Sequence, residues 1–167
     1  MPVARPLSRR QLLFGGQPGT PALRPPWALD ERAFLAACTQ CRACVERCPQ
    51  QVLVLHRDGY PRFDPVAGEC TFCGDCVDAC QSGALQMRNG QPAWQQIAEV
   101  GEACLCRSGV VCGSCREICP ESALHFERGR IAAPRVDADR CSGCGACVSV
   151  CPSAALSVRA QVQEAIA

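Results

Sequence analysis

Apolar positions along the chain come in short runs, each closed by glycine, proline or cysteine. Val52 to Leu55 is followed by Asp58-Gly59 and then Tyr60-Pro61-Arg62-Phe63, which reads as two strands joined by a turn. "SALHFERGRIAAPRV", from Ser122 to Val136, repeats that plan with its turn near Gly129. Around these hairpins lie segments rich in Gly, Ala and Val, each predicted to form one short helix. The pattern predicts a β-α-β-β-α-β unit with approximate two-fold symmetry, used twice. No apolar run approaches the roughly 18 residues that cross a bilayer, so no membrane span is expected. The closing "RAQVQEAIA" reads as a helical turn or two.

Cysteine changes this picture most: the chain has 17 in 167 residues, with only five Phe, two Trp and one Tyr. A core with so few large apolar anchors needs another source of cohesion. The spacing supplies it. Cys38, Cys41, Cys44 and Cys48 read C-x2-C-x2-C-x3-C before Pro49, and Cys70, Cys73, Cys76 and Cys80 repeat the run with Gln81 in place of the proline. Cys141, Cys144, Cys147 and Cys151 give it again before Pro152, and Cys112, Cys115 and Cys119 with Pro120 supply the last three positions of a fourth copy. A shift of 71 residues carries Cys41, Cys44 and Cys48 onto Cys112, Cys115 and Cys119, and the second run onto the last. Leu53 and Leu85 shift onto Leu124 and Leu156 in the same way. The chain is therefore an internal duplication. The expected division is an arm over 1–30, a first module over 31–88, a linker over 89–103, a second module over 104–159 and a tail over 160–167. The fold class expected is α+β: a tandem pair of two-cluster, ferredoxin-like modules with a flexible N-terminal arm.

This is the spacing of bacterial [4Fe–4S] proteins, in which the fourth cysteine of each run binds the other cluster of a pair. Structural zinc prefers two C-x2-C pairs a dozen or more residues apart. Disulfides fail because neighbours this close compete for partners and the count is odd. A thioredoxin-type C-x-x-C needs one pair in a βαβ setting. Crossing over the fourth cysteine groups Cys38, Cys41 and Cys44 with Cys80, and Cys70, Cys73 and Cys76 with Cys48. It also groups Cys112 and Cys115 with Cys151, and Cys141, Cys144 and Cys147 with Cys119. One ligand breaks the pattern, because Cys38 shifts onto Gly109. Cys104 or Cys106 stands in its place, on a looped-out segment that Gly109 lets turn; the alternative is a degenerate third site. Three or four [4Fe–4S] clusters are expected, with one cysteine spare. Each cluster ties two distant stretches together, so the metal-free chain is expected to be largely disordered.

Formal charge is +1, with every cation an Arg and no Lys. Four oxidised cubanes, each about −2 with its thiolates, make the loaded protein anionic. The arginines form no basic stripe, so nucleic acid is not an expected partner. His56 and His125 fall at non-matching places and read as exposed polar residues. Trp94 lies between the modules and reads as a staple. No phosphate loop, nucleophile–base pair or radical-enzyme triplet is present, so catalysis by this chain alone is not expected. "SRRQLLF" at 8–14 starts like a twin-arginine export signal, but Gly15, Gly16, Gln17 and Pro18 end its apolar stretch too early. It reads as an arm, either floppy or partner-binding through Arg9 and Arg10, anchored by Trp27.

"SRRQLLF", "RPPWAL" at 24–29, "CTQCRACVERCP" at 38–49, "GECTFCGDCVDAC" at 68–80 and "GEACL" at 101–105 occur in that order. In this the chain resembles the NapF-type ferredoxin family over nearly its whole length. The resemblance implies Cys104 as the ligand and Cys106 as the spare. It also implies a cytoplasmic accessory protein that assists maturation, by cluster loading or reduction, of the precursor of the molybdenum-containing catalytic subunit of periplasmic nitrate reductase before export. A polyferredoxin-type electron carrier, fed by an electron donor, is the competing expectation.

Overall fold

The computed structural model describes residues 22–160. The segment with Arg9 and Arg10 and the end of the tail, 161–167, lie outside the described residues.

The first unit opens with α1 (Glu31–Ala37), which starts where the Asp30 carboxylate accepts the Ala33 N–H at 3.1 Å and which buries Phe34 completely. There follow α2 (Ala43–Glu46), β1 (Leu53–Leu55), β2 (Pro61–Phe63) and α3 (Asp75–Asp78). β1 and β2 pair antiparallel, Leu53 opposite Phe63, with Gly59 at φ 81° in the turn. The second unit runs β3 (Gln96–Val100), a 3-10 helix (Leu105–Ser108), α4 (Ser114–Ile118), β4 (Leu124–His125), β5 (Arg135–Val136), α5 (Ala146–Ser149) and β6 (Leu156–Ala160). β4 pairs with β5, with Gly129 at φ 76° between them, and β3 pairs with β6 from Gln96 opposite Ala160 to Val100 opposite Leu156. Helix and strand thus mix in small two-stranded sheets, an α+β arrangement.

Three features depart from the expected elements. β3 occupies part of 89–103, the stretch read as a linker. In the first unit the matching outer pair shrinks to a single bridge between Ala28 and Leu85. The tail also differs, since Arg159 and Ala160 continue β6 as strand rather than helix.

Each of α2, α3, α4 and α5 holds the third cysteine of its run and ends before the fourth. Three of these helices begin from a left-handed residue just after the second cysteine: Arg42 at φ 68°, Gly74 at 89° and Gly145 at 89°. The irregular run alone does otherwise, with Gly113 at φ −141°. Three residues beyond every fourth cysteine the chain turns left-handed again, at Gln51, Gly83, Ser122 and Ala154. There each N–H donates back to the carbonyl of Cys48, Cys80, Cys119 or Cys151.

Small apolar groups form the rest of the core: Phe34, Val52, Leu53, Phe63, Ala84 and Leu85 in one unit, Ala98, Leu124, Val148, Leu156 and Val158 in the other. Trp94 joins them. Its ring sits 4.8 Å from Phe63 and 5.3 Å from Phe72, and its indole N–H donates to the Ser142 carbonyl at 2.7 Å.

Candidate metal centres

Because each helix holds the third cysteine and stops before the fourth, the two thiols reach different places. The outcome is four small cavities, with cysteines in every wall. Cys38, Cys41, Cys44 and Cys80 line the first, capped by Phe34 and Leu85. The second holds Cys48, Cys70, Cys73 and Cys76, under Pro26, Trp27 and Phe72. Around the third stand Cys104, Cys106, Cys112, Cys115 and Cys151, with Val100, Leu105 and Phe126. Cys119, Cys141, Cys144 and Cys147 line the fourth. The structure thus brings every cysteine singled out in the sequence to a cavity wall, each fourth cysteine beside the three of the opposite run. Both candidates for the irregular position reach the third cavity.

All 17 thiols are free of disulfide. Among the described residues no three Cys, His, Asp or Glu side chains converge tightly enough to hold a single metal ion, as tetrahedral zinc requires. The thiols ring a space instead. A wall of sulfur donors with apolar neighbours suits a soft, multinuclear iron–sulfur group.

Burial sets the electrostatics. Desolvation, and then the neighbouring thiolates, push the third cysteine of every run up: Cys44 and Cys115 to about 11, Cys76 and Cys147 to about 12. Cys70 is pushed to about 11 by burial as well. The exposed Cys41 is lowered instead, chiefly by the Ala43 N–H. At Cys151 burial works upward, but the N–H groups of Ala155 and Ser153 outweigh it and lower the thiol. Backbone N–H groups also point at sulfur from Ala98 to Cys141 at 3.4 Å and from Ala123 to Cys119 at 3.3 Å.

The four cavities stand in a row. α2 packs on α3 and α4 on α5, with Cys44 beside Cys76 and Cys115 beside Cys147. Between the units the Cys70 N–H donates to the Cys144 carbonyl at 2.8 Å. The order is first, second, fourth, third.

His56 and His125 take no part: they pair with Asp58 at 3.3 Å and Asp137 at 3.5 Å, half-exposed and away from the cavities. A wide cleft lined by Arg24, Asp58, Arg62 and Trp94 has no cysteine in its wall. Cysteine spacing could not reveal the part played by Arg24-Pro25-Pro26-Trp27. Arg24 is buried, grips Glu31 with bonds of 2.9 and 2.7 Å, and lies over the rings of Phe34 and Tyr60. This pins Pro26 and Trp27 against the second cavity, where Trp27 exchanges backbone bonds with Ala93 and Gln86. Only the Pro-Pro-Trp sequence itself hinted at it.

Two family descriptions, both "4Fe-4S dicluster domain", match residues 37–85 and 105–155. "Ferredoxin-type protein NapF" of Escherichia coli K12 is 35% identical over 139 residues, 81% of this chain and 84% of the relative. NapF of Haemophilus influenzae is 40% identical over 125 residues, 72% and 69% of the two chains. "Methylamine utilization ferredoxin-type protein MauM" of Methylobacillus flagellatus is 34% identical over 145 residues, covering 75% of this chain and 62% of the relative. Two dicluster matches on either side of residue 100 and NapF relatives over most of the length leave one assignment: the chain belongs to the NapF-type ferredoxin family of [4Fe–4S] iron–sulfur proteins.

Proposed function

We propose that the protein holds four [4Fe–4S] clusters and acts in the cytoplasm as an accessory protein of a periplasmic nitrate reductase system. In this reading it loads or reduces the cluster of the molybdenum-containing catalytic subunit before that precursor is exported. The ligands are Cys38, Cys41, Cys44 and Cys80; Cys48, Cys70, Cys73 and Cys76; Cys104, Cys112, Cys115 and Cys151; and Cys119, Cys141, Cys144 and Cys147. The cluster-bearing modules are 31–88 and 104–159, the second extended by β3 in front of it, and the chain has no substrate site of its own. One observation carries this reading: every cavity has a full set of four thiols drawn from both runs of its module. Cys104 is preferred at the third because Cys115 feels its charge, whereas the Cys106 thiol is turned to the Cys112 carbonyl at 3.4 Å. The clusters supply one-electron chemistry; the chain orients their thiolate ligands and keeps water from the buried ones.

The row of sites joined at Cys70 and Cys144 favours a second reading, an electron carrier between a donor and a partner oxidoreductase. The MauM likeness, from methylamine utilization, leaves room for a system other than nitrate reduction. Anaerobic co-purification separates the readings. A lasting stoichiometric complex with the unprocessed catalytic subunit is expected for maturation; fast oxidation of the reduced protein by the mature enzyme, with no lasting complex, overturns it in favour of transport.

A further inference from the structure

The third cavity has one thiol more than it needs. Its wall holds five cysteines where each of the others holds four. Cys104 caps the 3-10 helix Leu105–Ser108 and Cys106 lies inside it, so one local turn delivers both to the same space. Cys106 is only 4% exposed, and a buried free cysteine is ordinarily a small hydrophobe. Here it lines the cavity beside Cys104, Cys112, Cys115 and Cys151, its Sγ held at 3.4 Å by a bond donated to the backbone carbonyl of Cys112. Local bonds hold the turn, from the Arg107 N–H to the Cys104 carbonyl and from the Val110 N–H to the Leu105 carbonyl, but its far side is open. Gly109 closes the turn at φ 78° with no atom within 4 Å of its open face, and the Val110 and Val111 that follow are 50% and 80% exposed. The left-handed residue that fixes the other three runs after the second cysteine is missing at Gly113. In the order first, second, fourth, third this cavity comes last, adjoining the fourth through Cys115 and Cys147.

We propose that Cys106 is an alternative ligand of the third site, interchangeable with Cys104, which makes this end site one built for ligand exchange. The inference rests on the reading that the third site is loaded. In the exchange Cys106 gives up its proton and its bond to the Cys112 carbonyl and binds iron. Cys104 leaves that iron and takes up a proton. One Fe–S bond forms, one breaks, no electron moves and the proton count is unchanged. A site that can open one bond without losing its fourth thiol suits uptake or release of a cluster.

The test compares anaerobically prepared full-length wild type, Cys104→Ser, Cys106→Ser and the double variant by iron and acid-labile sulfide content. Cys106→Ala is added so that burying a hydroxyl is told apart from losing a ligand. Wild type, Cys104→Ser and Cys106→Ala are expected to agree, and the double variant to hold about four irons fewer per chain. Cys104→Ser or Cys106→Ala alone falling to the double variant's count overturns interchange, as does a double variant that keeps the full count. Wild type already at that lower count overturns the loading of the third site instead. Iron release to a chelator gives an independent readout. Release from Cys106→Ala is expected to be several-fold slower than from wild type, and equal or faster release overturns exchange.

Discussion

The third cysteine of each run carries the clearest residue-level signature. Cys44, Cys76, Cys115 and Cys147, together with Cys70, lie far above the ordinary thiol value of 9.0, because burial penalises the thiolate before any neighbour does. Iron binds the thiolate, so as proposed ligands each of these residues surrenders a proton on loading. The sign follows. Loading releases protons and is favoured as pH rises. In a compact metal-free state the same groups hold protons that the unfolded chain gives up from about pH 9, so that state weakens between the ordinary value and about 11 to 12. The loaded protein has no such protons left and stays level across that window. Reconstitution with iron and sulfide is therefore expected to be more complete at about pH 8.5 than at about pH 6.5, with net acid released in weakly buffered solution. Iron content and pH recording check it; uptake that is flat or falls with pH contradicts the assignment of buried, protonated ligands.

Short elements seat these residues, and the seating tolerates little change where the units meet. Gly145 begins α5 at φ 89°, and a Cβ there lies 2.8 Å from the Phe63 ring, 3.0 Å from Pro65 and 3.2 Å from the Gly68 carbonyl. Gly74 begins α3 at the same φ but faces only the flexible end of Met87. Gly74→Ala is expected to show the left-handed cost alone, about 1 kcal/mol. Gly145→Ala adds crowding against a ring and a backbone, for roughly 2–4 kcal/mol in all. Thermal unfolding of the loaded protein should order the two, and equal shifts would mean that the units do not press together at this point. Helices and hairpins of this kind were legible because cysteine spacing, Asp58-Gly59 and Gly129 mark their ends. β3 was not. Its inward residues are Gln96 and Ala98, polar and small, while Ile97 sits half-buried between them, so no apolar alternation announces a strand. Its partner β6 lies some sixty positions on, and only tertiary packing reveals the pair. Which cysteines share a cavity wall was legible for the same reason that β3 was hidden: repeat spacing survives in one dimension, but the contact of Cys70 with Cys144, and hence the order of the cavities, does not.

At the scale of the molecule the question is what makes so slight a scaffold cohere. Helices of four to seven residues and sheets of two strands are each too small to persist alone in water. The largest fully buried side chains are Phe34, Val52, Pro25 and Pro26, and most of the remaining core is alanine, valine, leucine and cysteine. On the proposed ligand sets, cross-links at the four cavities are the remedy, since each would join a run to the cysteine of another run more than twenty residues away. Joining ends that far apart removes several kcal/mol of freedom from the unfolded chain at each link. Taking the metal away removes all of these links at once and leaves buried thiols with nothing to bind. Stripping iron with a chelator under anaerobic conditions is therefore expected to abolish protease resistance and most of the circular dichroism, and re-addition of iron and sulfide to restore both. Partial loading sharpens the test. Cys73→Ser, which disables the second cavity, should loosen 31–88, where that cavity joins Cys48 to Cys70, more than β3 and β6, whose unit keeps both of its own cavities. Limited proteolysis of that variant should cut first between Cys48 and Cys70. Cutting spread evenly over both units would show that cohesion comes from the apolar core and the Trp94 junction rather than from the metal sites.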